Sequence, residues 1–407
     1  MGGRPGTHGA SFGKVVVAEA SQEAHPHIPF ARTLIPPEAQ EAASRVLSSG
    51  WVTTGPEVAA FEREFAALVS ADHAVAVSSC TAALELALRA LGLPHGARVA
   101  TSTMTFCGAV HAIVHAGLSP VLVDIDPWTL MPTPETVAQA VARVDGVEAM
   151  VVLHFAGFPA RVDELAAAAG LPLDRVVEDA AHAVGTWVGQ RPVGALSAAT
   201  CFSFYATKNL PIGEGGMITT DDLQVAEQVR RSRQHGMSRD AWKRYLPGGG
   251  WRYTIEGSGL KANMTDLQAA IGRAQLRYLP GWQRRRDELA RRYDGGLLGI
   301  AGLRTPPWPA DGRHAWHLYV LQIERAFGLG RDEVIAGLAE RGIDTSVHFI
   351  PLHHQPYFVG LLGDELADQF PAADDAFERI VSLPLHPGLT DDEVDRVCET
   401  LAEIGAA

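Results

Sequence analysis

Hydrophobic positions along the chain alternate between a helical period and short continuous runs. Val58, Phe61 and Phe65 share one face of a predicted helix, and the apolar run 74–77 follows it as a predicted strand. The alternation continues with predicted strands at 99–102, 121–124, 149–153 and 175–178 and predicted helices at 82–91, 109–115, 135–144 and 162–169. It predicts an α/β fold in three layers, with a mainly parallel sheet covered by helices.

The second half of the sequence predicts a different arrangement. After a predicted loop at 246–259, a capping box at Thr265 opens a helix to about Leu279. Later elements are predicted as a helix at 282–298, a strand at 317–323, a helix at 331–341, a strand at 345–349 and a helix at 391–404. We therefore expect a smaller C-terminal α+β domain at 281–407, a large domain at 28–280, and a mobile extension at 1–27.

Length and composition limit the classes of protein to which the chain can belong. The chain has 407 residues with 47% hydrophobic content, enough for a large core in two domains. It contains no run of about 18 uncharged apolar residues, and its start does not resemble a signal peptide, so we expect a cytoplasmic protein without a membrane partner. The net charge of −13 argues against nucleic acid as a partner. It does not exclude an anionic small substrate, because a local site can differ in charge from the whole protein.

Several sequence motifs are absent. The four cysteines form no C-x-x-C pair, so we expect neither a disulfide framework nor a metal site. No G-x-x-x-x-G-K-[ST] motif occurs, which excludes a P-loop nucleotidase. The arginines at 230, 231, 233, 284–286, 291 and 292 are predicted to form solvent-exposed helix faces.

One lysine, Lys208, lies between the aromatic run 202–205 and a glycine-rich stretch at 213–216. A loop lysine is ordinarily a solvated surface charge, but a buried one forms Schiff bases with aldehydes such as pyridoxal phosphate. That cofactor needs a carboxylate for its ring nitrogen, an aromatic packing group and a phosphate site. Asp179 ends a predicted strand, and the segment 79–81 opens a predicted helix, although both also fit simple capping roles.

Three segments carry a resemblance to a known family. Residues 178–183 (EDAAHA), 202–209 (FSFYATKN) and 213–216 (GEGG) closely resemble the DegT-type nucleotide-sugar aminotransferases, which belong to fold type I of the pyridoxal phosphate enzymes. The resemblance covers nearly the whole chain from about residue 28. It implies a pyridoxal phosphate enzyme that acts as a homodimer with shared active sites, and it makes 28–280 the cofactor-binding domain.

The resemblance also implies roles for individual residues. Lys208 would be the Schiff-base lysine and proton carrier, and Asp179 would pair with the pyridine nitrogen. The other implied cofactor contacts are Thr81 and Ser203 at the phosphate, Phe106 on the ring, His182 beside the phenolic oxygen, and Asn263 reaching the phosphate from the neighbouring subunit. Cys80 replaces a glycine usual in the family, although its backbone N–H still faces the phosphate turn.

Alternative interpretations remain for three of these residues. His182 and Phe106 also fit an ordinary hydrophobic core, and Asn263 also fits a loop-shaping role before the helix at Thr265.

The implied substrate is a nucleoside-diphosphate 4-keto-6-deoxyhexose aminated at C4, with L-glutamate as amino donor, because His182 and the 213–216 motif resemble the C4 group. A 4-keto pentose nucleotide, similar through 235–242, and amination at C3 are the alternatives. A dehydratase is disfavoured by Lys208, and a non-catalytic sugar-nucleotide sensor is a remote alternative.

Overall fold

The computed structural model describes residues 26–238 and 253–406. The predicted extension up to residue 25, part of the predicted loop at 246–259 and positions 239–242 of the segment similar to the pentose subgroup lie outside them. The helices are α1 (Pro37–Ser49), α2 (Pro56–Val69), α3 (Cys80–Ala90), α4 (Cys107–His115), α5 (Pro134–Arg143), α6 (Val162–Ala168), α7 (Leu223–Ser232), α8 (Asp266–Leu276), α9 (Leu279–Leu297), α10 (Arg331–Glu340), α11 (Pro356–Leu362), α12 (Pro371–Phe377) and α13 (Asp391–Ala406). The strands are β1 (His73–Val77), β2 (Arg98–Ser102), β3 (Ser119–Val123), β4 (Ala149–Leu153), β5 (Val176–Asp179), β6 (Trp187–Val188), β7 (Arg191–Pro192), β8 (Ala199–Ser203), β9 (Gly216–Thr220), β10 (Leu303–Arg304), β11 (Tyr319–Ile323) and β12 (Ile380–Leu383).

The main sheet has seven strands in the order β1-β9-β8-β5-β4-β2-β3. The pairs β2/β3, β2/β4, β4/β5 and β5/β8 are parallel. Only β9 runs against its neighbours, because it pairs antiparallel with both β8 and β1. The carboxyl ends of β5 and β8 therefore meet at one edge, where ligands bind in sheets of this type.

Helices cover both faces of this sheet. Val75 and Val77 face a core shared with α3, α4 and α7, whereas Ala74 and Ala76 face one shared with α2 and α8. Farther along the sheet, Met150 and Val152 of β4 pack in a third core with α5 and α6. Alternate residues of a strand point to opposite faces, so short apolar runs become fully buried strands. The predicted three-layer α/β fold is confirmed.

The capping box predicted at Thr265 is present at the start of α8. Gln268 donates its backbone N–H to the Thr265 hydroxyl at 3.3 Å, and its side-chain oxygen accepts the backbone N–H of Thr265 at 3.0 Å. Asp266, the next residue, accepts the backbone N–H groups of Gly55 and Val58 and so caps α2 from across the fold. These contacts fix α2 and α8 together against the sheet.

A second sheet, β10-β11-β12, is antiparallel and packs with α9, α10 and α13. It forms the predicted smaller C-terminal α+β unit, while the division of the chain at residue 280 stays a prediction. The strand predicted at 345–349 is wrong, because only Ser346 forms a bridge there, to Ser382 of β12. Ser346 and Ser382 exchange two backbone hydrogen bonds at the edge of this sheet, but the pairing does not extend to the neighbouring residues. Helix α1 and strands β9 and β12 were not predicted.

The prediction of solvent-exposed arginines is wrong at two positions. Arg233 is buried and donates to Glu62 and to the backbone oxygen of Ala76. Arg286 is also buried, inside α9. Throughout residues 26–238 and 253–406, no helix combines the length and apolar character needed to span a bilayer.

Candidate active site

A cavity of about 530 Å³ lies at the carboxyl ends of β5 and β8. Its wall includes parts of the second sheet and of the segment before residue 350, among them His348 and Phe349. The structure brings seven of the eight predicted site residues together here: Cys80, Thr81, Phe106, Asp179, His182, Ser203 and Lys208. These residues come from four separate segments of the sequence, around positions 80, 106, 180 and 205.

Lys208 follows β8 in a turn where its backbone N–H donates to the Tyr205 carbonyl at 2.9 Å. Its Nζ lies 3.4 Å from Nε2 of His317. Nδ1 of His317 is 3.2 Å from Oδ1 of Asn209, whose amide nitrogen donates to the Ala315 carbonyl. Since the Asn209 oxygen can only accept, Nδ1 of His317 carries the proton and Nε2 accepts from the lysine. Burial lowers the pKa of Lys208 to about 8, so a sizeable share of the amine is neutral at physiological pH.

Asp179 ends β5 and faces the cavity, whereas Glu178 points to the opposite side of the sheet. The Oδ1 atom of Asp179 accepts the Ala181 backbone N–H at 3.0 Å and lies 3.8 Å from the Cys80 sulfur. Burial raises the pKa of Asp179, and the Ala181 N–H and the Lys208 charge oppose that rise. A cationic group beside this carboxylate would stabilise its ionised form.

The turn before α3 has the features of a phosphate site. The Ser79 hydroxyl caps the helix by accepting the Ala82 N–H at 3.1 Å. Within the described parts of the chain, the backbone N–H groups of Cys80 and Thr81 show no hydrogen-bond acceptor, so both are available to an anion at the positive end of the helix.

Two glycines keep this turn open. A methyl group on Gly216 would lie 2.5 Å from the Ser79 carbonyl carbon, and one on Gly108 would lie 2.7 Å from the Thr81 hydroxyl oxygen. Cys80 occupies the first helical position, and its sulfur packs toward the Cys201 carbonyl at 3.5 Å. The side chain at position 80 is therefore accommodated below the turn, and the residues present fit a phosphorylated cofactor.

His182 is buried at the cavity wall, with its ring centroid 4.5 Å from that of His317. Its Nδ1 accepts the Ala156 backbone N–H at 3.2 Å, so in the neutral ring Nε2 carries the proton. Burial and the Lys208 charge hold the pKa of His182 well below its usual value. The ring is therefore a neutral N–H donor at the cavity. Phe106 is not an ordinary core residue, because its side chain is 61% exposed over the cavity.

Asn263 is the predicted site residue that does not line this cavity. Its amide nitrogen donates to the Thr54 hydroxyl at 2.7 Å, and its oxygen accepts from Lys261. Asp124, which directly follows β3, has a different role: its carboxylate accepts the backbone N–H groups of Ala372 and Ala373 at the start of α12.

Sequence reasoning missed three cavity residues, His317, His348 and Arg286. Arg286 donates to the carbonyl oxygens of Leu385 at 2.9 Å and Trp316 at 3.2 Å, and its Nε has no partner. No carboxylate in the described ranges pairs with it, and burial lowers its pKa to about 9. The helical spacing of Arg286, Leu289 and Tyr293, at i, i+3 and i+7, is a sequence signal for its inward orientation.

Comparison with known proteins identifies the family of the chain. The model of the DegT/DnrJ/EryC1/StrS aminotransferase family matches residues 34–402. The chain is 48% identical over 385 residues to the spore coat polysaccharide biosynthesis protein SpsC of Bacillus subtilis (strain 168), covering 94% of this chain and 98% of that protein.

Two solved structures extend the comparison. DesV of S. venezuelae, solved in complex with a ketimine intermediate, has a TM-score of 0.83 at 34% identity, with 94% of this chain and all of that chain covered. The sugar aminotransferase Spr1654 of Streptococcus pneumoniae in its PMP form, described as putative, has a TM-score of 0.84 at 30% identity, with 93% and 99% covered. The predictions of family, enzyme class and cofactor are confirmed. The chain belongs to the DegT/DnrJ/EryC1/StrS family and is a pyridoxal phosphate-dependent sugar aminotransferase.

Proposed function

We propose that this enzyme transfers an amino group to C4 of a nucleoside-diphosphate 4-keto-6-deoxyhexose, with L-glutamate as the amino donor. The observation that carries the proposal is the placement of Lys208, with its lowered pKa, in one cavity with Asp179 and His182. A neutral amine, an acidic group and a neutral N–H donor are what this cofactor requires around its aldehyde, ring nitrogen and phenolic oxygen.

We assign the catalytic roles to Lys208 and Asp179. Pyridoxal phosphate, when bound, supplies an electron sink for the bond broken at the donor carbon. Lys208 holds the cofactor and then moves the proton through its Nζ, which His317 accepts from and orients. Asp179 would pair with the ring nitrogen. A positive charge there would lower the pKa of Asp179, which burial raises.

The remaining cofactor contacts follow from the cavity wall. The Cys80 and Thr81 backbone N–H groups and the Ser203 hydroxyl would bind the phosphate, while Phe106 covers the ring and His182 donates to the phenolic oxygen. Asn263 would complete the phosphate site of a second subunit, which makes the active form a homodimer with shared sites. Its position outside the cavity of its own chain is compatible with that role.

The buried guanidinium of Arg286 supports an anionic donor. Its unpaired Nε and the lack of a described carboxylate partner leave a cation at the cavity without a counter-ion. A buried cation of this kind favours a ligand with a carboxylate, and L-glutamate has two.

Two features support amination at C4. His182 stands where relatives acting at C3 tend to have glutamine, and 213–216 reads Gly-Glu-Gly-Gly where those relatives have a Gly-Asp-Gly type sequence. Glu214 and Gly215 of this motif line the cavity. A 4-keto pentose nucleotide is the second candidate, supported by the similarity of residues 235–242. A nucleotide-sugar substrate agrees with the cytoplasmic location expected from the sequence.

The proposal is tested by incubating the enzyme with glutamate and a panel of 3-keto and 4-keto sugar nucleotides, then locating the new amine by NMR. We expect a 4-amino-4,6-dideoxy sugar nucleotide. Lys208→Ala should give no product, and Cys398→Ala, at a buried position that does not line the cavity, is the control. Amination at C3 or selective turnover of a keto pentose would replace the proposed substrate.

A further inference from the structure

A second group of potential ligand atoms lies outside the cavity, where a 3-10 turn at Leu352–His354 packs against α12. His353 and His354 are adjacent in this turn, and Asp374 lies in the middle of the helix. The Nε2 atom of each histidine lies 2.8 Å from the same carboxylate oxygen, Oδ1 of Asp374. All three ligand atoms lie within 4.8 Å of one another. Two imidazoles thus converge on one carboxylate oxygen.

The surroundings of His353 orient its ring toward that point. Its side chain is 1% exposed, and its Nδ1 lies 2.7 Å from the hydroxyl oxygen of the buried Thr103. When Nδ1 carries the proton and donates it to Thr103, Nε2 presents a free lone pair. A hydrogen bond to the far nitrogen is the arrangement that fixes metal-binding histidines in proteins.

We propose that His353, His354 and Asp374 bind a divalent transition metal, with zinc as the best fit. Two imidazole nitrogens and a carboxylate oxygen are a ligand set that catalytic zinc sites combine with a water molecule. Metal binding would replace the two hydrogen bonds now made to Oδ1, with the ring protons placed on Nδ1. The site is separate from the cavity and from the proposed cofactor contacts.

The required movement is small. Tetrahedral zinc with metal–ligand distances near 2.05 Å holds its ligand atoms about 3.3 Å apart, roughly 0.5 Å more than each of the two present nitrogen–oxygen separations of 2.8 Å. His354 and Asp374 are 39% and 38% exposed, so both can adjust and both leave a path from solvent. In the described parts of the chain, no lysine or arginine pairs with Asp374, so no competing cation neutralises the carboxylate.

The position of the site suggests a structural effect. His348 and Phe349, shortly before the turn, line the active-site cavity, and Thr103 follows β2 at the same edge of the main sheet. A metal ion held by the turn and by α12 would fix this part of the cavity wall. We therefore expect bound metal to raise the melting temperature of the enzyme.

The test uses the pyridoxal phosphate-loaded enzyme after treatment with a chelator. Titration with Co²⁺, followed by its visible d–d absorption, should show one site per chain with the spectrum of tetrahedral cobalt. Titration with Zn²⁺, followed by calorimetry, should also show one site per chain. His354→Asn and Asp374→Asn should lose this site. Thr103→Val, which removes only the hydrogen bond to His353, should weaken binding roughly 10- to 100-fold. Retained cofactor absorbance verifies that each variant is folded.

His115→Asn is the matched control, because His115 is an exposed histidine with Nδ1 3.6 Å from a carboxylate oxygen of Glu85. It should bind metal as the wild-type enzyme does. The proposal is overturned if the wild-type enzyme shows no stoichiometric site, if binding survives His354→Asn, or if the control variant loses the site.

Discussion

The lowered pKa of Lys208 has a consequence that can be measured in the cofactor-free enzyme. Only a neutral amine attacks an aldehyde, so the rate at which the apoenzyme captures pyridoxal phosphate depends on the neutral fraction of Lys208. At pH 7 a lysine with a pKa of about 8 is about 10% neutral, roughly 300-fold more than one with the ordinary value of 10.5.

The assay is stopped-flow absorbance of pyridoxal phosphate capture between pH 7 and 11. We expect the rate to rise roughly fivefold between pH 7 and pH 8 and to level off above pH 9, at about ten times its value at pH 7. In Asp179→Asn the midpoint should move to lower pH, because the Asp179 charge raises the pKa of Lys208. A rate that keeps rising past pH 10 in the wild-type enzyme would refute the reasoning.

Three further predictions concern stability and cofactor binding. Lys208→Met should stabilise the apoenzyme by about 3 kcal/mol in urea denaturation at pH 7, because the lowered pKa of Lys208 destabilises the folded state below pH 8. This gain should vanish above pH 10.5, the ordinary pKa of a lysine in the unfolded chain. A gain that does not depend on pH would contradict this cause. Gly216→Ala should weaken pyridoxal phosphate binding in equilibrium dialysis, because its methyl would lie 2.5 Å from the backbone before α3, whereas Gly295→Ala, with no atom within 4 Å, should bind normally. Arg233→Met should lower the free energy of unfolding by about 3 kcal/mol, because it leaves the Glu62 carboxylate without its cation; a loss near zero would show that the pair is not stabilising.

The parts of the site that could be predicted come from strand ends and from strong local motifs. Asp179 and Lys208 follow or end strands that proved to be parallel neighbours, β5 and β8, so the alternating pattern already placed them at one edge of the sheet. The turn at Ser79 was recognisable because a short strand and a helix flank it directly.

His317 shows what the sequence could not reveal. It lies 109 positions after Lys208, and the contact between them depends on how the second sheet packs against the first. The spacing of hydrophobic residues within a single helix or strand does not indicate such a contact. The sequence predicts only that His317 begins a strand at 317–323, and a role for its imidazole required the distances to Lys208 and Asn209.

The two buried arginines were missed for a different reason. Arg233 and Arg286 lie among other arginines, and a run of charges ordinarily marks a solvated helix face. Helical spacing separates them from their neighbours, because Arg233 follows the buried Ala226 and Val229 by seven and four positions. The run of charges predicts that both arginines are exposed, but their positions on the helical period place them on the buried face.

The most direct test of the account is to reduce the loaded enzyme with borohydride, digest it and find the lysine that carries the cofactor. The chain has lysines only at positions 14, 208, 243 and 261, so the assignment is unambiguous. The account predicts complete modification of Lys208 and none of Lys14, Lys243 or Lys261. Modification of any other lysine, or an unmodified Lys208 in active enzyme, would contradict it.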